Sequence, residues 1–323
     1  MHALRVGVLR GGSAQTSDAS FRTGAELLPH MPQGVRPKDI FITRDGEWSV
    51  GGVVIAPERV VPHVDVFLSL LHDSYGEGGG VQKFLAEHGA RYVGSETLAS
   101  AHSYQKHLTK QTLATHGIAT PLAWLFRAED LEDLEQVMPA IRKQVAPPWV
   151  VKPSGSSYSL GMSLVWDPHK LAYAIEKALF YSEVVLVEEY VRGDEVSVLV
   201  TDAFRDQDTY AFFPVHIRSR GSWDARDHIS KIDAAHRFEC PSHLSRDTKD
   251  AVTEMALRVH TLFDARDYSE IEMIVSPAGA ISVLEINTVP ELLASAPAHA
   301  ALEAAGVPVT SFLQHLFERA ISR

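Results

Sequence analysis

Along the first hundred positions, short apolar runs alternate with amphipathic stretches. "LRVGVLRGG", "GGVVIAP", "VDVFLSLLH" and "ARYVGS" predict strands, while "DASFRTGAELLPHM" and "GGVQKFLAEHG" predict helices. Apolar strands separated by helices form a parallel sheet. Near Leu98 the pattern becomes one helix, "LASAHSYQKHLTKQTLATHG", with Gly117 as its C-cap. From Trp149 the chain is hairpin-like: "WVVKP", a Ser/Gly-rich turn and "LGMSLVW", then the helical "PHKLAYAIEKALFY" and the strand "EVVLVEEYV". Strands follow at "EVSVLVTDAF" and "TYAFFPVHI", then a polar loop from Arg218 to Ala235, a helix from about Ser245 to Phe263, and strands at "SEIEMIVS" and "AISVLEIN". The pattern predicts an open α/β lobe over 1–98 and two α+β lobes over 99–183 and 184–323.

The last strand breaks the apolar pattern. In "SVLEINTVPEL", Glu285 and Asn287 are two apart and leave the same face. A buried carboxylate beside a buried amide costs several kcal/mol, on the order of 2–7 for the polar group alone, unless both are satisfied. Antiparallel pairing with the preceding strand, through a turn at Pro277 to Gly279, brings Glu272 to the same place. The three oxygens make a hard set suited to Mg2+ that leaves room for phosphate ligands.

Composition narrows the function. The chain has 323 residues, 45% of them hydrophobic, enough for two or three packed lobes. Its 30 Lys plus Arg against 41 Asp plus Glu give a net charge of -11, and no basic cluster recurs, which argues against nucleic acid as a partner. A single cysteine, Cys240, excludes an internal disulfide and reads as a packed small residue. No apolar run approaches a membrane span, and the start lacks the pattern of a secretory signal, so cytoplasmic residence is the expectation.

Two further stretches carry candidate chemistry. In "VVKPSGSSYSLGMS", Lys152 ends a strand and a turn of small residues follows, which can bring backbone N–H groups to phosphate oxygens beside a point charge. In "VLVEEYVRGDEVSV", backbone at the strand end can read an adenine edge, with a carboxylate on ribose hydroxyls. Taken alone, a hairpin turn beside a surface lysine and a solvated strand end account for these stretches as well.

Taken together and in order, the motifs resemble an ATP-grasp ligase, and the chain is similar to D-alanine-D-alanine ligases over nearly its whole length. The stretches that carry the likeness are "VGVLRGGSAQTSDASFRTG", "LLHDSYGEGGGVQ", "YVGSETLASAHSYQKHLTKQ", "VVKPSGSSYSLGMS", "LVEEYVRGDEVSV" and "LEINTVPE". The resemblance implies an ATP-grasp fold with a Rossmann-like N-terminal parallel-sheet lobe, ATP and Mg2+, small-molecule amino-acid substrates and a homodimer through the first lobe. It places Lys106, Lys152 and, in the polar loop, Lys231 on the ATP phosphates, with Lys152 and Lys231 catalytic, and Ser159 in the phosphate turn. It places Glu188, Glu189 and Val191 on the adenine-binding strand, Glu195 on the ribose, and Glu272, Glu285 and Asn287 on the metal. The implied mechanism is attack of a carboxylate on the γ-phosphate to give an acyl phosphate, which an amine then converts to an amide. Positioning and electrostatics carry such a reaction, and no nucleophilic side chain is required.

Departures from the family fall on the amino-acid side. The glutamate that grips the first ammonium aligns with Thr16, and its partners align with Tyr158 and Ile232. The oxyanion arginine aligns with Glu270, the assisting glycine with Glu291, and the serine for the second carboxylate with Ala296. His72 and Glu77 are retained, although the glycine after the histidine is Asp73. These substitutions leave three expectations: D-alanine-D-alanine synthesis with a rearranged site, ligation of a different and cationic amine drawn by Glu270 and Glu291, or nucleotide binding without ligase turnover.

Overall fold

The structure is a computed structural model and describes residues 3–13, 16–219 and 236–323. The first sheet contains β1 (Leu4–Gly11), β2 (Val35–Ile42), β3 (Trp48–Val50), β4 (Val53–Val54) and β5 (Val66–Ser69), in the order β4-β3-β2-β1-β5. β1 runs parallel to β2 and β5, as the alternation with helices predicts; β3 and β4 extend the edge antiparallel. Helices α1 (Ser17–Leu27), α2 (Pro57–Val60) and α3 (Gly80–Glu87) connect or cover these strands. Val6, Val8, Val66 and Leu68 enter one core and Leu9, Ile40, Ile42 and Phe67 another. Burial on both faces explains why these strands read as unbroken apolar runs.

The helix expected from Leu98 to Gly117 is two helices, α4 (Thr97–Tyr104) and α5 (Lys106–Thr115), broken at Gln105, where the backbone is extended. The break has a tertiary cause. It frees the first N–H groups of α5 for the loop after Pro153: Lys106 donates its backbone N–H to Ser154 O at 3.0 Å and His107 donates its own to Ser154 Oγ at 3.1 Å.

The middle sheet joins β6 (Ala123–Phe126), β7 (Trp149–Pro153), β8 (Ser163–Val165) and β9 (Val185–Glu189) antiparallel, in the order β6-β9-β7-β8. Its apolar face packs on α6 (Leu134–Gln144) and α7 (Leu171–Leu179) through Trp149, Val151, Val187, Ile141 and Ile175. α6 escapes the sequence pattern, which Pro139 interrupts within it. Because β9 pairs with both β6 and β7, this sheet reaches Glu189, past the boundary expected at 183–184.

The third sheet holds β10 (Asp194–Phe204), β11 (Gln207–Ala211), β12 (Val215–Ser219), β13 (His236–Glu239), β14 (Tyr268–Val275) and β15 (Ile281–Asn287), in the order β13-β12-β10-β14-β15 with β11 on β10. "TYAFFPVHI", expected as one strand, is divided between β11 and β12 at Phe212–Pro214, where proline offers no ladder N–H. Period-two alternation sorts β10. Val196, Val198 and Val200 pack against α8 (Arg246–Leu262), whereas Leu199 turns to a core shared with α9 (Pro297–Ala304), α10 (Val309–Ile321) and the first sheet. Cys240 is half-buried, its thiol donating to Phe213 O at 3.7 Å. Burial pushes that thiol up to about 11, which suits the packing role read from sequence.

Candidate active site

β14 and β15 supply an oxygen-rich face. Glu272 lies directly opposite Glu285, and Glu270 opposite Asn287. All four side chains line a cavity of about 530 Å3. A bulge makes this arrangement possible: the register shifts between Glu272 and Met273, leaving Leu284 as an extra residue on β15. Val283 and Ile286, three apart, therefore both enter the core behind the sheet, while Leu284 and Glu285 both face cavities. The Asn287 amide oxygen accepts the Val289 N–H at 2.9 Å, which fixes its orientation. Glu272, Glu285 and Asn287 form a hard-oxygen set that could hold Mg2+.

Cations stand opposite. Lys106 Nζ is 3.2 Å from Glu285 and donates to Ser156 O at 2.8 Å. Lys152 Nζ is 3.1 Å from one Glu188 oxygen and Lys110 Nζ 3.0 Å from the other. Glu188 thus braces two buried lysines instead of offering its carboxylate to a base. Lys110 also donates to Thr120 Oγ1 and Pro121 O, each at 2.9 Å. Burial pushes Lys110 down to about 8, with Glu188 opposing that shift and Lys152 adding to it. Lys110 was absent from the sequence reading. Its signal was its place four residues after Lys106, on the same helical face.

A second cavity of about 110 Å3 adjoins the first and shares Lys106, Ser159, Glu195 and Glu285 with it. Val150, Met162, Ile274 and Leu284 are among its apolar walls, and Lys152, Glu188, Glu189 and Val191 also line it. It could seat a flat base. Glu189 turns its carboxylate to the Leu122 N–H at 2.9 Å, tying the end of β9 to the segment before β6.

The amino-acid side is a network of hydroxyls and carboxylates. Tyr158 donates its hydroxyl to Glu291 and packs edge-on to the His72 ring at 5.4 Å. His72 Nδ1 lies 3.0 Å from Glu77, whose other oxygen accepts from Ser157. Burial opposes charge on His72, but its bond to Glu77, with Glu291 and Asp73 assisting, raises it above the ordinary imidazole value. Its Nε2 is buried without a hydrogen-bond partner and lies on the cavity wall, 4.0 Å from Glu291. Glu270 accepts from Ser197. Burial pushes Glu270 up to about 7; the Ser197 bond opposes this, and Glu291 and Glu285 add to it. Tyr158 and Ser159 both hold left-handed backbone, at φ 56° and 54°, a conformation that costs a bulky residue on the order of 1–3 kcal/mol.

Asp73, a departure from the family, acts as a brace. One carboxylate oxygen accepts the Ser13 N–H at 2.7 Å and the other the Gly76 N–H at 2.9 Å. Gly12 sits at φ +87°, where a Cβ would lie 2.4 Å from that carboxylate. Thr16 does not reach the cavity. It is buried, its hydroxyl 3.1 Å from Ser13 Oγ, and Asp18, Ala19 and Arg22 of α1 line the wall instead. The polar loop expected from Arg218 to Ala235 begins inside β12, which runs to Ser219; the rest of it, 220–235 with Lys231 and Ile232, lies outside the described residues.

The comparisons with known proteins agree with this geometry. The family model described as D-ala D-ala ligase C-terminus matches residues 112–318. A putative D-alanine–D-lactate ligase of Streptomyces coelicolor is 26% identical, over 100% of this chain and 99% of that one. A D-alanine–D-alanine ligase of Bacillus anthracis is 26% identical, over 98% and 97%. Among solved structures, the VanG D-Ala:D-Ser ligase from Enterococcus faecalis superposes with a TM-score of 0.83 at 21% identity, covering 98% of this chain and 99% of that one. The D-alanine–D-alanine ligase from Bacillus anthracis complexed with ATP does so with 0.77 at 23%, covering 99% and 98%. With a family match over most of the sequence and a fold shared from end to end, this chain belongs to the D-alanine–D-alanine ligase family.

Proposed function

We propose that the chain is an ATP-dependent, D-alanine–D-alanine ligase-like enzyme that joins the carboxylate of one amino acid to the amine of another through an acyl phosphate, giving a D-dipeptide of the kind built into peptidoglycan. The observation that carries this reading is the face of Glu272, Glu285 and Asn287 set against Lys106 and Lys152 across two adjoining cavities. The larger suits two small amino acids and a triphosphate, the smaller a base. When bound, Mg2+ supplies charge neutralisation on the transferring phosphoryl group. Lys106 and Lys152 hold phosphate oxygens, Ser159 offers its turn to them, and Glu195 takes the ribose, with Val191 and Glu189 along the base. The family resemblance assigns Lys231 to the terminal phosphate, as the remaining member of the catalytic set. His72, Tyr158, Glu270 and Glu291 surround the amino acids, and the His72 Nε2–H donates to a substrate oxygen.

A cationic amine is not favoured. Glu270 and Glu291 do face one cavity, but Ser197 and Tyr158 already satisfy them, and Glu270, pushed up to about 7, is half-protonated near neutrality. The pair needs no cation. No helix among the described residues is long and apolar enough to cross a membrane, in keeping with action where ATP is available in the cytoplasm. Val53 and Val54, exposed on the edge strand β4, suit a homodimer through the first lobe. The test is phosphate release from ATP across a panel of D- and L-amino acids and hydroxy acids, with mass detection of products. D-alanine-dependent release with a D-dipeptide product is expected; release only with cationic amines, or none with any acceptor, overturns the proposal.

A further inference from the structure

The third sheet carries a second cluster on the side turned away from the cavity. Glu195, Ile217 and Phe238 line the cavity from β10, β12 and β13. Their immediate neighbours Asp194, His216 and Glu239 therefore project from the opposite face, toward the side that α8 covers. The register agrees: His216 stands opposite Glu239 on one side and Val196 on the other, and Val196 shares its face with Asp194. His243 joins them from the segment between β13 and α8. Asp194, His216 and His243 each bring a ligand atom within 4.8 Å of the others.

We propose that His216, His243 and Asp194 bind a transition-metal dication such as Zn2+, with Glu239 orienting both imidazoles. The imidazole Nε2 atoms lie 3.5 Å and 3.7 Å from the two oxygens of Asp194, so one ion can meet two nitrogens and a carboxylate. That donor set suits a borderline transition ion and disfavours Mg2+. Glu239 Oε2, paired with Arg218 Nη2 at 3.0 Å, lies 3.9 Å and 3.8 Å from the two Nδ1 atoms, from where a small shift lets it accept their hydrogens once both Nε2 atoms bind metal. The two Nδ1 atoms now share one hydrogen at 2.6 Å; metal binding opens that contact, since both then carry hydrogen. The rings are already 4.2 Å apart between centroids. Asp194, His243 and Glu239 are half-exposed and His216 buried, so an ion can enter from solvent onto a fixed nitrogen. An ion there pins three strands and the segment leading to α8 at the foot of the β12–β13 hairpin.

The test is calorimetric titration of the untagged full chain with ZnCl2 under excess MgCl2, which saturates all-oxygen sites. One Zn2+ per chain that Mg2+ does not displace is expected, with a raised unfolding temperature. His243→Ala and Asp194→Asn, each altering a half-exposed side chain, are expected to abolish that equivalent and the thermal shift, and Glu239→Gln to weaken binding about tenfold. Glu272→Gln, on the other face, leaves Zn2+ binding as it was. Absence of Mg2+-resistant binding, or equal binding in His243→Ala and Asp194→Asn, overturns the proposal.

Discussion

Lys152 can be removed without stranding the carboxylate behind it, because Lys110 remains on Glu188. Glu285 can likewise be removed without stranding Lys106, which keeps Ser156 O. Lys152→Ala and Glu285→Ala are therefore expected to fold and to lose phosphate release by about a hundredfold or more, the scale of a lost electrostatic contact to a transition state. Unchanged release in either folded variant would remove that residue from the site. Glu270 makes a pH-dependent prediction. Its folded pKa is about 7 against an ordinary 4.5, so between those values the unfolded chain has released a proton that the folded chain keeps. Its contribution to stability falls as pH rises through that window and is constant above it. Glu270→Gln should gain on the native chain by on the order of 3 kcal/mol from pH 4.5 to 7. Denaturation curves at the two ends that differ by the same amount would refute it. At this scale the sequence showed which residues gather, because motif stretches carry their own geometry. It did not show that Glu188 turns to two lysines, that Lys110 is one of them, or that Thr16 faces away, since those orientations are set by the packing around each side chain, between β7, β9 and α5 for Glu188 and beside Ser13 for Thr16.

Among the elements, β15 shows how one residue decides a face. Leu284 is the extra member of the bulge, and it lets Val283 and Ile286 enter the core while Glu285 faces the cavity. Deleting Leu284 restores simple alternation with Val283 and Ile286 still on the core face and Glu285 and Asn287 still on the cavity face, while the apolar wall that Leu284 gives the smaller cavity is lost. The deletion variant is expected to fold with Glu285 and Asn287 in place and to bind ATP about tenfold more weakly, the effect of losing one apolar side chain from the wall of a base pocket. A deletion protein that fails to fold, or that binds ATP as tightly as the native chain does, would refute this role for Leu284. Alternation alone made the strands legible and correctly set Glu285 and Asn287 on one face, but bulges and helix breaks have no period. The break at Gln105 answers to Ser154, forty-nine residues away in sequence, and could not be seen in the helical pattern around it.

For the whole molecule, the order of apolar runs was enough to predict a parallel first sheet and antiparallel later ones; how α9 and α10 weld the first sheet to the third depends on packing between distant segments. One property of the assembled cavity reaches beyond its contacts. Among the described residues it is lined by Asp18, Glu77, Glu195, Glu270, Glu272, Glu285 and Glu291 against Arg22, Lys106 and His72, in a chain of net charge -11. A magnesium-loaded nucleotide is itself an anion, so its approach runs against the field until it meets the lysines. Repulsion of this kind reaches about 30 Å at 0.01 M ionic strength but only about 8 Å at 0.15 M. Association measured by stopped flow with a fluorescent ATP analogue is expected to quicken as salt is added over that range, the reverse of capture by a basic groove. An on-rate that falls with salt would show that the lysines, and not the carboxylates, govern the encounter. Where the carboxylates govern the encounter, turnover assayed in dilute buffer at low nucleotide understates what the enzyme achieves in a cell's own electrolyte.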